Sequence, residues 1–211
     1  MPKNGDGSYE NQSFLSIANG AVFEADKGPD NKYYTLDHLS KPLFAGAVQG
    51  TIQNLHITNA TFPYLAEVMY ETGVIRGVHI TDSSLTSILS TSMQGRIEDL
   101  HIANSTGSYL VNTIYYGGAI DGLHISNSNI SNLVGTSQGT VRDVHITGST
   151  LAQLIQSNPG VLTVIRIANS TLDYLVKTIN YGGIVSDYQF TDTTFQHGLY
   201  ETNLGQMIEN P

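Results

Sequence analysis

The stretch IEDLHIANST, residues 97 to 106, decides the fold because close copies of it recur along the chain. The copies are IQNLHITNAT from residue 52, IRGVHITDSS from 75, IDGLHISNSN from 120 and VRDVHITGST from 141. A glycine begins each repeat: Gly50, Gly73, Gly95, Gly118, Gly139, Gly160 and Gly183. The differences between successive numbers are 23, 22, 23, 21, 21 and 23. So regular a period predicts a solenoid, in which each repeat forms one coil stacked on the next.

The residues around each histidine alternate between aliphatic and polar. Leu100 and Ile102 flank His101, for example, and the other repeats keep this pattern. A period of two predicts a strand whose aliphatic side chains point into the core while the histidine points outward. Further aliphatic residues lie six and nine positions after the histidine. Together with the pair that flanks the histidine, they make three sets of inward-pointing side chains. We therefore expect three short strands in each coil of about 22 residues.

The position three residues after the histidine is occupied only by Asn, Asp or Gly. These residue types tolerate a left-handed backbone, which a sharp corner between two strands requires. Stacked asparagine amides also hydrogen-bond to one another in other ladders of identical side chains, so we expect an asparagine ladder at this corner. The residues are Asn59, Asp82, Asn104, Asn127, Gly148, Asn169 and Asp192.

The motif IxxLHIxNSxL, with its period of about 22 residues, resembles the parallel β-helix repeat of the pectin-lyase-like superfamily over roughly residues 47–196. The resemblance implies an all-β, right-handed, single-stranded parallel β-helix of about eight coils, each of about 21–23 residues. It does not select an activity. The superfamily includes pectate lyases, polygalacturonases, phage tailspikes and the non-catalytic passenger domains of bacterial adhesins.

The two ends of the chain depart from the repeat. Residues 1–46 are predicted to form an N-terminal cap, with one degenerate coil at 14–23 and an inserted loop at 24–46. Residues 47–196 are predicted to form the parallel β-helix, and residues 197–211 a C-terminal cap. Caps are expected because an open solenoid end exposes strand edges that invite aggregation.

The composition restricts the classes of partner. Only 13% of the 211 residues are charged, and the formal net charge is −9. A negative chain argues against a nucleic-acid partner and against an anionic membrane surface. No apolar run is long enough to span a membrane, so no membrane insertion is expected. There is no cysteine, and we predict no cofactor. An oligomer is left open.

The five histidines that recur in the motif are candidate metal ligands. Neighbouring rings would lie about 5 Å apart on an exposed sheet face. Three interpretations remain open: a residue tolerated when the repeats duplicated, a divalent metal site, and acid sensitivity caused by repulsion between protonated rings. The histidines are His56, His79, His101, His124 and His145.

The charged residues before the histidines suggest two further features. Those three positions before the histidine predict a surface ion-pair ladder of Arg76, Glu98, Asp121 and Arg142. Glycosidases of the superfamily that the chain resembles use clustered aspartates near a histidine, so the catalytic candidates are Asp99, Asp121, Asp143, His101 and His124. The chain lacks the paired-aspartate, Gly-His-Gly and Arg-Ile-Lys motifs of polygalacturonases, and no motif in it matches the calcium-binding aspartates and catalytic arginine of a lyase.

Tyrosines are candidate binding residues. Tyr64, Tyr109 and Tyr174 each lie eight positions after the histidine column, and Tyr116 and Tyr181 lie near the turn that closes a coil. Exposed aromatic rings beside Asn and Thr are typical of carbohydrate contacts and also of protein interfaces. A further row, five positions after the histidine, resembles the hydroxyl array of ice-binding solenoids: Thr61, Ser84, Thr106, Asn129, Thr150, Thr171 and Thr194.

These observations favour a non-catalytic binding or structural β-solenoid of a bacterial secreted or surface protein, contacting a glycan or a protein through a polar face. The first alternative is a polysaccharide hydrolase or lyase that uses the region of Asp99, Asp121 and Asp143. The second is an ice-binding protein. A secreted or cell-surface location is expected, although the chain begins without a classical signal peptide.

Overall fold

The computed structural model describes residues 17–18, 20–24, 35–37 and 42–208, and shows parallel strands stacked coil upon coil. The strands are β1 (Val22–Glu24), β2 (Thr35–Asp37), β3 (Phe44–Val48), β4 (Thr51–Thr58), β5 (Thr61–Met69), β6 (Val74–Thr81), β7 (Ser84–Met93), β8 (Arg96–Ala103), β9 (Thr106–Ile114), β10 (Ala119–Ser126), β11 (Asn129–Ser137), β12 (Thr140–Thr147), β13 (Thr150–Asn158), β14 (Val161–Ala168), β15 (Thr171–Ile179), β16 (Ile184–Thr191), β17 (Thr194–Phe195), β18 (Thr202–Asn203) and β19 (Gln206–Ile208).

Two sheets run the length of the molecule. The first has the order β1-β4-β6-β8-β10-β12-β14-β16-β19, with β2 also paired to β4; the second has the order β17-β15-β13-β11-β9-β7-β5-β3, with β18 also paired to β15. Every one of these pairs is parallel. The part of the chain that the structure describes contains no helix, so none that could cross a membrane. The prediction of an all-β parallel solenoid of about eight coils is confirmed.

The core is one continuous aliphatic column. Leu100 and Ile102 are each only 1% exposed, as the alternation around His101 predicted. Their equivalents in the other repeats are buried with them, except Tyr188 and Phe190 of the last repeat, which are partly buried against the core. The column extends from Ile17 at one end to Val185 at the other. Equivalent positions pair directly in neighbouring strands, as Ile97 does with Ile120. Each aliphatic side chain therefore packs on its counterpart in the next coil.

Each complete coil contains two long strands, so the prediction of three short strands is wrong. The inward positions six and nine residues after the histidine both lie on the second strand, as Gly107 and Leu110 do on β9. A left-handed residue two positions before the histidine bends the first strand without ending it. The bend residues, with φ between 49° and 78°, are Asn54, Gly77, Asp99, Gly122, Asp143, Val164 and Asp187. This second left-handed column was not recognised from the sequence.

The corner between the two strands is left-handed, as predicted. The Asn, Asp and Gly column has φ between 47° and 61°, and these residues are exposed. Backbone amides of this column donate to the next coil, as Asn104 does to the carbonyl of Ser126. The coil-to-coil hydrogen bonds that side chains make at this corner run instead through the next, buried column. The amide of Ser105, for example, donates to Ser128 Oγ at 3.1 Å, and Ser128 Oγ donates to the carbonyl of Ser126 at 2.7 Å. The ladder is therefore built by serine rather than asparagine.

The ends add strands to both sheets. Ile17 bridges to Val48 and β1 pairs with β4, which fits a degenerate first coil; residues 14–16 and 19 of that coil lie outside the described residues. The predicted inserted loop contributes β2, while its residues 25–34 and 38–41 lie outside the description. At the other end, β18 and β19 continue the two sheets beyond residue 196, up to the undescribed residues 209–211.

Candidate functional site

The length of each coil determines how far its closing turn protrudes from one side of the solenoid. Where the interval between repeat glycines is longest, a β-turn protrudes between the second strand and the next coil: Tyr70 to Gly73, Tyr115 to Gly118, and Asn180 to Gly183. In each turn the amide of the fourth residue donates to the carbonyl of the first, at 2.8, 3.0 and 2.9 Å respectively. The two coils with the shortest intervals close instead through the bends Gln138–Gly139 and Pro159–Gly160.

A groove lies where the two short bends follow one another. Its volume is about 400 Å³, and its walls are the turn at Gly117–Gly118 and the turn at Gly182. Its floor is formed by Gln138, Gly139, Thr140, Pro159, Gly160 and Val161. From Gly118 to Gly183 there are three coil steps, which corresponds to about 14 Å at a strand spacing of about 4.8 Å. We call this feature the closing-turn groove.

The floor of the groove is smooth because glycine is required there. A Cβ atom on Gly139 would collide with the carbonyl oxygen of Gly118 on the preceding coil, and one on Gly160 would collide with the carbonyl oxygen of Gly139. The backbones of successive coils approach too closely at this turn for any side chain. The repeat glycines are therefore explained by close approach, and the groove is shallow over the two short coils.

Tyr116 and Tyr181 lie at the tips of the two wall turns. Each is the second residue of its turn and precedes a glycine with φ of 88° or 82°, as a type II turn requires. The turn tip holds the two rings away from the core, and they are 74% and 80% exposed. Tyr70, in contrast, is the first residue of its turn, lies away from the groove and is 45% exposed.

Charged side chains at one side of the groove carry no net charge. Arg96, Glu98, Asp121 and Arg142 all line it, and Glu98 and Asp121 are directly paired on neighbouring strands. Arg142 donates to the Asp121 carboxylate, and this hydrogen bond raises the pKa of Arg142. The predicted ion-pair ladder is therefore present between these two residues, whereas Arg76 donates to Gln53 Oε1 instead.

The other predicted binding tyrosines are not part of this groove. Tyr64, Tyr109 and Tyr174 lie on strands β5, β9 and β15 of the second sheet and are only partly exposed. The ring of Tyr174 also contacts His197 of the C-terminal region, at a centroid distance of 5.4 Å. The structure thus separates the five candidate tyrosines into two groups, and only Tyr116 and Tyr181 belong to turns that line the closing-turn groove.

The five motif histidines form a continuous stack. Successive ring centroids from His56 to His145 are 4.8, 4.5, 4.5 and 5.0 Å apart, and the ring planes are inclined by only 11° to 18°. The predicted spacing and outward orientation are confirmed, although four of the five rings are half-buried. We call this row the histidine stack. A cavity of about 320 Å³ runs along it.

Aspartates engage alternate members of the histidine stack. His101 Nε2 lies 2.8 Å from Asp99 Oδ1, and His145 Nε2 lies 3.0 Å from Asp143 Oδ1. An ionised carboxylate only accepts hydrogen bonds, so the ring nitrogen donates in both contacts. Both aspartates also occupy the left-handed bend of their strands.

The structure divides the predicted catalytic cluster. Asp99 and Asp143 contact the histidine stack, while Asp121 pairs with Arg142 in the closing-turn groove. His124 has glycine, not aspartate, two positions before it. The carboxylate that accompanies Asp121 in the groove is Glu98, which sequence reasoning had assigned only to the ion-pair ladder.

Two rings of the histidine stack are harder to protonate than an isolated imidazole. Burial, followed by the charges of His101 and His56, lowers the pKa of His79. Burial, followed by the charges of His101 and His145, lowers the pKa of His124. Both rings therefore favour the neutral form more than an isolated imidazole does, and a neutral imidazole has one nitrogen that can accept a hydrogen bond or bind a metal ion.

The hydroxyl row on the second sheet is largely exposed, as expected. A shallow depression of about 600 Å³ covers Thr61, Ser84, Thr106 and Asn129, together with Phe62, Leu85 and Gly107 between them. Thr106 Oγ1 donates to Ser84 Oγ at 3.1 Å, so part of the hydrogen-bonding capacity of the row is used internally.

No protein-family model, curated protein or solved structure matches the chain. The class of the protein, a parallel β-solenoid, therefore follows from its repeats and its strand pairing.

Sequence reasoning missed the closing-turn groove and three of the side chains that line it, Arg96, Gln138 and Thr140. The signal was present in the intervals between the repeat glycines. The two shortest intervals follow one another and are flanked by two of the longest, which indicates two short closing turns between longer ones. Stacking coils of unequal length at a common core must leave a depression over the shorter ones.

Proposed function

We propose that the protein is a non-catalytic carbohydrate-binding β-solenoid that holds a neutral glycan chain in the closing-turn groove. The observation that carries this proposal is the pair of exposed tyrosines, Tyr116 and Tyr181, at the tips of the two turns that contribute Gly117 and Gly182 to the groove lining. A position in the pectin-lyase-like superfamily, and a secreted or cell-surface location in a bacterium, belong to the same proposal and are supported by the repeat motif.

The chemistry of the groove fits sugar rings. An aromatic face packs against the C–H face of a pyranose, and the planar groups of Arg, Asp and Glu hydrogen-bond to hydroxyls in pairs. The two arginines and two acids cancel in charge, which favours a neutral glycan over a polyanion. A smooth glycine floor lets a flat chain lie close to the backbone.

The first test is binding to a panel of soluble neutral polysaccharides, measured by affinity electrophoresis and then by calorimetry. We expect the wild-type protein to bind at least one of them. Tyr116→Ala or Tyr181→Ala should each weaken binding about fivefold, corresponding to a lost stacking contribution of about 1 kcal/mol. The double variant should bind more weakly than either single variant.

Tyr70→Ala is the matched control. Tyr70 belongs to another protruding β-turn, no residue of which lines the groove, so its loss should leave binding unchanged. Equal losses in all three variants would point to a general effect on the closing turns. If no neutral polysaccharide binds, the proposal is wrong.

A second function, polysaccharide hydrolysis, is favoured by one observation: Glu98 and Asp121 lie on directly paired strands and both line the groove. Two carboxylates across a glycosidic bond can act as acid and base. Each of these carboxylates, however, is already engaged by an arginine: Glu98 by Arg96 and Asp121 by Arg142. Release of reducing ends by the wild type but not by Asp121→Asn would establish hydrolysis.

A further inference from the structure

The strongest unassigned cluster of metal-ligating groups lies on the histidine stack. Asp99, His101 and His124 each present one ligand atom, and the three atoms lie within 4.8 Å of one another. We propose that these residues bind one divalent transition-metal ion, such as Zn²⁺, that joins strands β8 and β10. The site is separate from the closing-turn groove and does not depend on glycan binding.

The three ligand atoms lie close together and must draw nearer to reach the spacing that a metal ion needs. With bonds of about 2.0–2.1 Å, two ligands of a tetrahedral Zn²⁺ lie about 3.3 Å apart. Asp99 Oδ1 and His101 Nε2 are 2.8 Å apart, and the centroids of His101 and His124 are 4.5 Å apart. The Asp99 side chain is 62% exposed, so its carboxylate is free to rotate and complete the set. The metal would replace the proton that His101 now donates to Asp99.

The ligand types also suit such an ion. Two imidazoles and one carboxylate form a mixed nitrogen and oxygen set that suits zinc and its neighbours in the first transition row, and leaves further coordination positions open. These positions would face the cavity along the histidine stack, where the small residue Ala103 lies beside His101. Water or a small ligand has room to coordinate there.

A set of one aspartate and two histidines with this spacing occurs at one place among the described residues. It requires an aspartate two positions before a histidine and another histidine on the next coil. Asp143 and His145 repeat the first half, but the next coil carries Arg166, whose guanidinium donates to Asp187 at 2.8 Å. His56 and His79 stack on one another but follow Asn54 and Gly77, which offer no carboxylate.

Because the other coils lack the complete set of ligands, their residues suggest conservative substitutions and a matched control. Asp99→Asn keeps the backbone, because Asn54 occupies the same left-handed column with φ of 55°. His124→Gln is also conservative, because Gln189 occupies the histidine column in a later coil. Asp143→Asn removes an equivalent aspartate–histidine contact that belongs to no three-ligand set among the described residues.

The experiment is a Zn²⁺ titration by calorimetry on protein first freed of metal with EDTA. We expect one ion per chain, at least about a tenfold weaker affinity in Asp99→Asn and in His124→Gln, and an unchanged affinity in Asp143→Asn. Zn²⁺ should also raise the melting temperature of the wild type but not of His124→Gln, because an ion that binds only the folded chain stabilises it.

Two measurements separate loss of ligands from loss of structure. Far-ultraviolet circular dichroism in EDTA should be the same for all variants. Co²⁺ should give visible absorption bands with the wild type that disappear in His124→Gln. The proposal is overturned if the wild type binds no Zn²⁺, or if Asp143→Asn lowers the affinity as much as Asp99→Asn does.

Discussion

Val164 has a β-branched side chain at a left-handed bend, with φ of 54°, where other coils use Asn, Asp or Gly. Such a conformation costs about 1–2 kcal/mol in a residue with a Cβ, and asparagine tolerates it best. We therefore expect Val164→Asn to stabilise the protein by about 1 kcal/mol, and to raise the melting temperature by about 2–4 °C. The measurement is thermal unfolding. The control is Val161→Asn on the same strand, which should give no gain because residue 161 has no left-handed backbone.

The buried serine ladder acts at the level of the strand corner, because each hydroxyl joins two coils. Ser128→Ala would leave the Ser105 amide buried without its acceptor, so we expect a loss of about 1–3 kcal/mol in unfolding free energy by urea denaturation. Ser131→Ala tests the same change at an exposed serine of β11, the strand that follows this corner, and should alter stability by less than about 0.5 kcal/mol. If the two variants were equally stable, the ladder would contribute nothing to folding.

The whole molecule behaves as a stack of interchangeable coils, because the same register relates β10 to β12 and β12 to β14. Deleting residues 140–160 removes one coil and should let β14 pair with β10. We expect a folded β protein of lower stability, since one interface between neighbouring coils is lost. Circular dichroism and urea unfolding would check this. An unfolded product would show that the coils are not interchangeable.

The same deletion narrows the closing-turn groove by one coil and should abolish glycan binding.

Much of the fold could be predicted from the residues alone. The alternation around His101 places Leu100 and Ile102 in the core, and the regular recurrence of the motif stacks each position on its counterpart. The Asn, Asp and Gly column predicts one left-handed corner, which the structure confirms. These features depend on side-chain periodicity and on local backbone preference, and both are properties of short stretches of sequence.

Only the tertiary structure decided how the coils differ from one another. A single repeat does not reveal that Asp121 faces the groove with Glu98, whereas Asp99 turns to His101. The strand changes direction at the left-handed position two before the histidine, which Asp99 itself occupies. Nor does it reveal that the turns of Tyr116 and Tyr181 both line the groove, on either side of two shorter coils. Such arrangements join residues that are distant in sequence, and they are fixed by the stacking of coils of unequal length.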